Sequence, residues 1–239
     1  MNGLNTVPNN HIPNIKPVYF LADSRLLFTP LGGRPFLETV ISDKPAEQIK
    51  AVYIGVANDD EPVFYEMFVA AMRTVSVHNC YQITRQFPSE QRKHLEDADI
   101  ILLGGGDVAS GWRVMTETGM NEIITRRYYE GAAIIGVSAG AVQLGLFGAD
   151  REHNFFETLK LAPFIIDVHQ ENNNWDNLQF LLDARNEHLT GIGIPSGAGL
   201  IYHPDHSLEA LAKPLHEFRV AGEHLTDQLI FPGKRFVQS

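Results

Sequence analysis

Short, almost continuously apolar runs alternate with helix-like patterns along most of the 239 residues of this chain. Such runs are typical of strands covered on both faces, and their alternation with helices is typical of parallel strands joined by helical crossovers. The predicted strands are 18–21, 51–56, 75–83, 100–103, 132–137, 164–169, 191–194 and 199–202. Shorter strand-like pieces at 207–212 and 218–221 indicate an antiparallel edge. The pattern predicts an α/β three-layer sandwich with a mostly parallel central sheet and helices on both faces.

The segment that follows the second predicted strand reads Asn-Asp-Asp-Glu-Pro at residues 58–62. Asn and Asp are good helix caps and proline is favoured in the first helical turn, so this segment predicts a capped helix start. Val63, Met67 and Ala70 or Ala71 fall on one face of that helix.

Composition narrows the classes of partner and compartment. The formal charge of −10 disfavours a nucleic-acid partner, because phosphate binding requires a basic surface. The lone Cys80 has no partner for an internal disulfide, which fits a reducing cytoplasm. No apolar run reaches the roughly 20 residues of a membrane-spanning helix, and residues 1–13 lack the pattern of a signal peptide. We expect a cytoplasmic protein with no membrane partner, a flexible leader at 1–15 and a single α/β domain at 16–239.

A serine between two glycines directly follows the apolar run 132–135, in the segment Gly-Val-Ser-Ala-Gly at 136–140. A serine placed where a buried strand ends and a helix begins is typical of a nucleophile elbow, whose sharp turn exposes the hydroxyl of Ser138. The same residues would also suit a strand-to-helix junction of small residues that has no catalytic role. The flanking strand and helix patterns favour the nucleophile.

The predicted strand 100–103 ends in Gly-Gly-Gly-Asp at 104–107. Ligands bind at the carboxyl ends of parallel strands, where glycines expose backbone N–H groups. The loop lacks the spacing of the known phosphate-binding motifs. A plain tight turn is one interpretation, and an oxyanion hole completed by the N–H of Ala139, behind Ser138, is the other. Two glycine-built loops at neighbouring strand ends favour the oxyanion hole.

A serine nucleophile needs a base, usually a histidine that a carboxylate orients. Of the ten histidines, His169 is the candidate because it ends an apolar strand, which we expect to place it on the same edge of the same sheet as Ser138. The segment 203–206, His-Pro-Asp-His, is typical of a turn. Because neither H-E-x-x-H nor a paired Cys-x-x-Cys occurs, we expect no metal and no cofactor.

At these positions the chain resembles the family of serine exopeptidases that includes aspartyl dipeptidase (dipeptidase E) and cyanophycinase. The resemblance is carried by 101–107, 135–141, 159–169 and 191–195, within a similar order of elements over about residues 16–220. It implies a fold like that of the class I glutamine amidotransferases. Glutamine amidotransferase activity itself requires a cysteine at the elbow, where this chain has Ser138.

The resemblance implies Ser138 as nucleophile, His169 as general base and the N–H groups of Gly106 and Ala139 as oxyanion hole. It also implies that the third member of the triad lies between the serine and the histidine. Asp150 is the first choice, in a loop-like segment.

Other carboxylates compete with that choice. Glu152 and Glu157 are the alternatives, and Asp167 is expected to position the strand end. The family's arginine-containing stretch after the histidine is absent at 170–176, and its acidic residue after the later glycine-rich strand is replaced by 195–197, Pro-Ser-Gly. The missing arginine weakens an aspartyl specificity, since arginine suits a substrate carboxylate. The missing acidic residue weakens a cyanophycin specificity, since an acidic residue would suit a basic P1′ group.

The predicted function is hydrolysis of a short or aspartyl-linked peptide through an acyl-enzyme, with a small peptide as partner. Two alternatives stay open. In an α/β-hydrolase esterase, a late histidine (His203, His206, His216 or His224) would serve as base. A catalytically inactive member would only bind a peptide or metabolite. A homodimer is the default expectation for a soluble enzyme.

Overall fold

The central sheet has eight strands in the computed structural model, which describes residues 15–41, 44–185, 189–221, 224–233 and 235–237. Apart from Ile15, the predicted leader lies outside the described residues. The described strands are β1 (Val18–Leu21), β2 (Pro30–Leu31), β3 (Arg34–Pro35), β4 (Lys50–Ile54), β5 (Asn79–Ile83), β6 (Ile100–Leu103), β7 (Ala133–Val137), β8 (Phe147–Ala149), β9 (Phe155–Glu157), β10 (Phe164–Val168), β11 (Thr190–Ile194), β12 (Gly199–Tyr202), β13 (Ser207–Leu211), β14 (Leu215–Ala221), β15 (His224–Ile230) and β16 (Arg235–Val237). The described α-helices are α1 (Pro62–Arg73), α2 (Ser89–Glu96), α3 (Val108–Thr118), α4 (Met120–Tyr129), α5 (Ala139–Leu144) and α6 (Asp176–Arg185).

The strand order of the central sheet is β16-β13-β12-β1-β7-β6-β4-β5. Its strands β1, β7, β6, β4 and β5 pair in parallel, whereas β12, β13 and β16 join antiparallel at one side. The mostly parallel sheet and its antiparallel edge are therefore confirmed. Because β6 and β7 are parallel neighbours, the loops that follow them lie side by side at the same sheet edge.

A second sheet of four strands, in the order β10-β11-β14-β15, accompanies the central one. The prediction that strand 164–169 belongs to the same sheet as Ser138 is wrong, because this strand (β10) pairs with β11 and not with any strand of the central sheet. The piece 218–221 likewise lies in β14 of the second sheet rather than at the central edge. A buried apolar strand carries no mark of the sheet it joins.

Three apolar clusters lie between the layers. One face of the central sheet packs against α2, α3, α4, α5 and the inner face of the second sheet, in a cluster that includes Phe20, Ile134, Leu144 and Ile166. The other face packs against α1 and short 3-10 turns. Helix α6 covers the outer face of the second sheet through Leu178. Helices thus lie on both faces of the central sheet, as predicted.

Local features of the chain set the ends of several elements. The third strand begins at Asn79 rather than 75, because Ser76 takes a positive φ of 61° and turns the chain. Helix α1 begins with Pro62 as expected, but its N-cap is Glu61, which makes no side-chain cap. Gly119, at φ 75°, separates α3 from α4. Within the described residues, no helix is both long and apolar enough to cross a bilayer.

Candidate active site

Ser138 occupies a sharp turn between β7 and α5. Its φ of 52° and ψ of −115° lie in a region that non-glycine residues rarely adopt. The N–H of Ser138 donates to the carbonyl of Leu21 over 2.9 Å, and its own carbonyl accepts from Ala141 over 2.9 Å. A Cβ on Gly140 would collide with the backbone carbonyl of Leu103, so only glycine fits two residues after the serine. The turn has the geometry of a nucleophile elbow.

His169 reaches the serine from the second sheet. It follows the last residue of β10, takes a positive φ of 48°, and donates its N–H to the carbonyl of Ile194 over 2.9 Å. The Nε2 atom of His169 lies 3.0 Å from Ser138 Oγ, within hydrogen-bond distance. The structure therefore brings the predicted nucleophile and base together, although they come from different sheets.

The triple-glycine loop lies beside the serine. A Cβ on Gly105 would lie 3.1 Å from Ser138 Cβ, so a larger residue would crowd the nucleophile. The next residue, Gly106, takes a φ of 136°, and a Cβ there would collide with the carbonyl of Ala57. The N–H groups of Gly106 and Ala139 have no hydrogen-bond partner among the described residues, and both residues line the cleft that holds Ser138. Two free donors thus stand at the places where the sequence predicts an oxyanion hole.

The cleft at this sheet edge has a volume of about 560 Å³. This falls within the roughly 300–1,000 Å³ that is usual for small-molecule sites. Besides the pair Ser138 and His169, its walls carry Arg151 and His153 from the loop between β8 and β9. The Arg151 guanidinium is highly exposed and lies 3.4 Å from the Asp107 carboxylate. The sequence alone did not place a cation beside the serine, because the expected arginine was sought only after His169.

The three carboxylates proposed from the sequence as third triad member lie in different surroundings. Asp150 lines the cleft, and its side chain accepts hydrogen bonds from the N–H of Glu152 and from the N–H and side chain of Asn154. These hydrogen bonds lower the pKa of Asp150, and the one from the Asn154 side chain has the largest effect. The described hydrogen bonds of Asp150 do not include one to His169. Glu157 forms an ion pair of 2.7 Å with Lys160, and neither it nor Glu152 belongs to the described lining of the cleft.

Two other carboxylates lie close enough to His169 for its charge to lower their pKa values. Burial raises the pKa of Asp167 to about 6, against the opposing effects of a hydrogen bond from Val168 and of His169. The Oδ2 atom of Asp167 is enclosed and has no hydrogen-bond partner within the described part of the chain. Burial also acts to raise the pKa of Glu171, but hydrogen bonds, among them one from the Ser196 N–H at 3.1 Å, and the His169 charge lower it overall. Glu171 was not singled out from the sequence.

Three of the four late histidines that an esterase would use have other partners. His203 lies 3.0 Å from Glu209, His206 Nδ1 lies 2.5 Å from the Tyr202 hydroxyl, and His216 contacts Asp227 at 3.0 Å. The side chain of His224 is outside the described part of the chain. The predicted turn at 203–206 is present. No group of three potential metal ligands occurs among the described residues.

Asn58 also contacts the site, although the sequence pattern placed it in a helix cap. Its side-chain Nδ2 donates to the carbonyl of Gly105 over 2.9 Å and to the Tyr53 hydroxyl over 2.7 Å. The signal that could have found it is its position just after β4, at the same sheet edge as the triple-glycine loop.

Comparison with known proteins decides the family. The profile of peptidase family S51 matches residues 35–209. The chain belongs to peptidase family S51. It is accordingly a serine peptidase, as its resemblance to dipeptidase E implied. None of the curated proteins matches the sequence.

Two solved structures show that this S51 peptidase shares the fold of other peptidases. A peptidase from an acI-B1 Actinobacterium superposes with a TM-score of 0.75 at 18% sequence identity, covering 94% of this chain and 97% of its own. A putative peptidase E protein from Listeria monocytogenes EGD-e superposes with a TM-score of 0.60 at 16% identity, covering 90% and 98%. The predicted fold class is confirmed.

Proposed function

We propose that this S51 peptidase hydrolyses short peptides, including aspartyl-linked dipeptides, through an acyl-enzyme on Ser138. The observation that carries the proposal is the 3.0 Å separation of Ser138 Oγ and His169 Nε2 in an open cleft. Nucleophile and base within hydrogen-bond reach are the signature of an activated serine.

The proposed reaction has two halves. Ser138 Oγ attacks the peptide carbonyl while its proton passes to His169 Nε2, and the carbonyl oxygen becomes an oxyanion that accepts from the N–H groups of Gly106 and Ala139. His169 then gives the proton to the leaving amine, the C–N bond breaks, and the acyl group stays on Ser138. Water, deprotonated by His169, releases the acid and restores the serine.

Asp150 is proposed as the acid that supports His169, because it is the one of the three sequence candidates that lines the cleft. Its bonds to its own loop hold it as an ionised acceptor. Asp167 and Glu171 are the competing carboxylates, since the charge of His169 acts on both. Isosteric amide variants at the three positions separate them. The supporting acid is the one whose amide variant loses about 10⁴-fold in kcat, provided that Ser138 in that variant still reacts with the phosphonate.

Arg151 supports the aspartyl part of the proposal. An acidic substrate needs a cation, and Arg151 offers an exposed guanidinium at the cleft wall, whose one ion pair among the described residues is with Asp107. We expect Arg151→Gln to raise KM for Asp-X dipeptides about tenfold or more, and to leave KM for Ala-X dipeptides within about twofold. An equal change for both substrates would argue against recognition by Arg151.

A phosphonate that labels serine hydrolases, followed by mass mapping, tests the chemistry. We expect modification at Ser138 that disappears in His169→Ala and persists in His206→Ala. Labelling that depends on His206 or His224 instead would support the esterase. A folded wild-type protein without labelling, and without hydrolysis across a panel of Asp-X, β-aspartyl and neutral dipeptides, would overturn the proposal.

A further inference from the structure

We propose that Asn58 is a positioning residue that fixes the direction of one oxyanion donor, the N–H of Gly106. This inference rests on the proposed function, because an oxyanion forms only if Ser138 attacks a carbonyl. Among the described residues, Asn58 forms no hydrogen bond with Ser138 and does not itself line the cleft.

The first step concerns a single peptide unit. The carbonyl of Gly105 and the N–H of Gly106 belong to the same planar peptide, and in a trans peptide the two groups point in opposite directions. The side-chain Nδ2 of Asn58 donates to that carbonyl over 2.9 Å. Holding the carbonyl toward Asn58 therefore turns the N–H of Gly106 away from Asn58.

The second step is that this peptide needs holding. It joins two glycines, which have no Cβ to restrict rotation, so its plane can turn over at low steric cost. After such a turn the carbonyl of Gly105, rather than the N–H of Gly106, would face the cleft and would repel an oxyanion. The N–H of Asp107, one residue on, donates to Ala57 over 2.8 Å and fixes the loop only beyond this peptide.

The third step concerns the identity of the Asn58 side chain. A carbonyl oxygen only accepts hydrogen bonds, so the amide nitrogen and not the amide oxygen must face Gly105. The other end of the amide, Oδ1, is buried and has no partner among the described residues. A buried unpaired oxygen is a cost, so the favourable hydrogen bonds of this side chain are the two that its nitrogen donates.

The Tyr53 hydroxyl is the second acceptor of the same nitrogen, at 2.7 Å, and provides a matched control. Tyr53→Phe removes that hydroxyl and leaves the bond from Asn58 to Gly105. Asn58→Ala removes both bonds. Asn58→Asp keeps the size of the side chain but turns an oxygen toward the carbonyl of Gly105, and it serves if the alanine variant does not fold.

The test measures kcat and KM for a dipeptide substrate together with the affinity of a peptide aldehyde, which forms a tetrahedral adduct with serine. We expect Asn58→Ala to lower kcat about tenfold to a hundredfold, to weaken the aldehyde by a similar factor and to change KM by less than about threefold. Asn58→Asp should lose at least as much, and Tyr53→Phe should stay within about twofold of wild type.

Two results overturn the inference alone, in an enzyme whose wild type is active. One is an Asn58→Ala variant that keeps kcat and aldehyde affinity within about threefold of wild type. The other is a Tyr53→Phe variant that loses as much as Asn58→Ala, which would assign the effect to packing. A wild type that neither hydrolyses dipeptides nor binds the aldehyde overturns the proposed function, and this inference with it.

Discussion

Ser138 Oγ lies 3.0 Å from His169 Nε2, although the serine follows a strand of the central sheet and the histidine follows a strand of the second sheet. Helix α5, which begins just after Ser138, packs against β10, which ends just before His169. Where α5 ends and β10 begins, away from Ser138 and His169, the N–H of Leu146 donates to the carbonyl of Phe164 over 2.8 Å. The packing of α5 against β10 of the second sheet thus fixes the separation of the proposed nucleophile and base.

Removal of either member of this pair should abolish most of the activity. We expect Ser138→Ala and His169→Ala each to lower kcat for a dipeptide by about 10³- to 10⁶-fold, because the two groups act as one unit. For the same reason the double variant should lose no more than about the larger single loss. Steady-state kinetics, with circular dichroism to confirm the fold, measure both. Additive losses in the double variant would show that the two residues act independently.

The sequence predicted the residues at this edge better than it predicted how they meet. The elbow and the triple-glycine loop were found because each combines a buried strand with glycines at its carboxyl end, and β6 and β7 are indeed neighbours. The sheet that contains β10 was not predicted, since an apolar strand looks the same in either sheet. The predicted strand runs one residue past the observed end at Val168, yet the histidine chosen from it lies beside Ser138.

Asn58 shows a different limit of prediction. Asn before Asp, Glu and Pro suits a helix cap, yet its amide bonds to Gly105, which lies 47 residues away in the sequence. Local propensity reports the turn but not the partner across the sheet edge. Arg151 was missed for the same reason, because the fold of the loop between β8 and β9 brings it to the cleft.

Gly106 should tolerate no side chain. Alanine there must adopt a φ of 136° and place its Cβ against the Ala57 carbonyl. We expect Gly106→Ala to lose stability by more than the roughly 1–3 kcal/mol of backbone strain, and to lose activity as well. Gly119→Ala is the matched control, since φ is also positive (75°) but the nearest atom to a Cβ is an Arg92 nitrogen 4.0 Å away. Denaturant unfolding and dipeptide kinetics measure both variants. In Gly119→Ala we expect only the loss of stability that backbone strain causes. Equal losses of stability and activity in the two variants would refute the collision.

Cys80 should be nearly inert. Burial raises the pKa of its thiol to about 11, so at pH 8 about one thiol in a thousand is ionised. It lies on the edge strand β5 and outside the described lining of the cleft. We expect iodoacetamide to modify the folded protein about a hundredfold more slowly than the protein in denaturant, and to leave hydrolysis unchanged. Rapid modification in the native state, or inactivation that Cys80→Ser prevents, would contradict this expectation.

Asp167 should make the protein less stable as the pH rises. Its pKa is about 6 in the folded protein against 3.8 for an unperturbed carboxyl, chiefly because of burial. Between these values the folded state binds more protons than the unfolded state, so the free energy of unfolding falls as the pH rises from about 4 to about 6, by about 3 kcal/mol at most.

Asp167→Asn removes that titration while it keeps an oxygen for the N–H of Val168, which now donates to Oδ1 over 2.9 Å. We therefore expect the variant to be more stable than wild type at pH 8, by about 1–3 kcal/mol, and nearly equal at pH 4. Asp150→Asn is the control of opposite sign, because hydrogen bonds lower the pKa of Asp150, and it should not stabilise the protein at pH 8. Urea unfolding at both pH values measures each variant. The free energy of unfolding of the wild type, relative to that of Asp167→Asn, should fall between pH 4 and 6. If it does not fall, ionisation of the buried Asp167 carboxyl does not destabilise the folded protein.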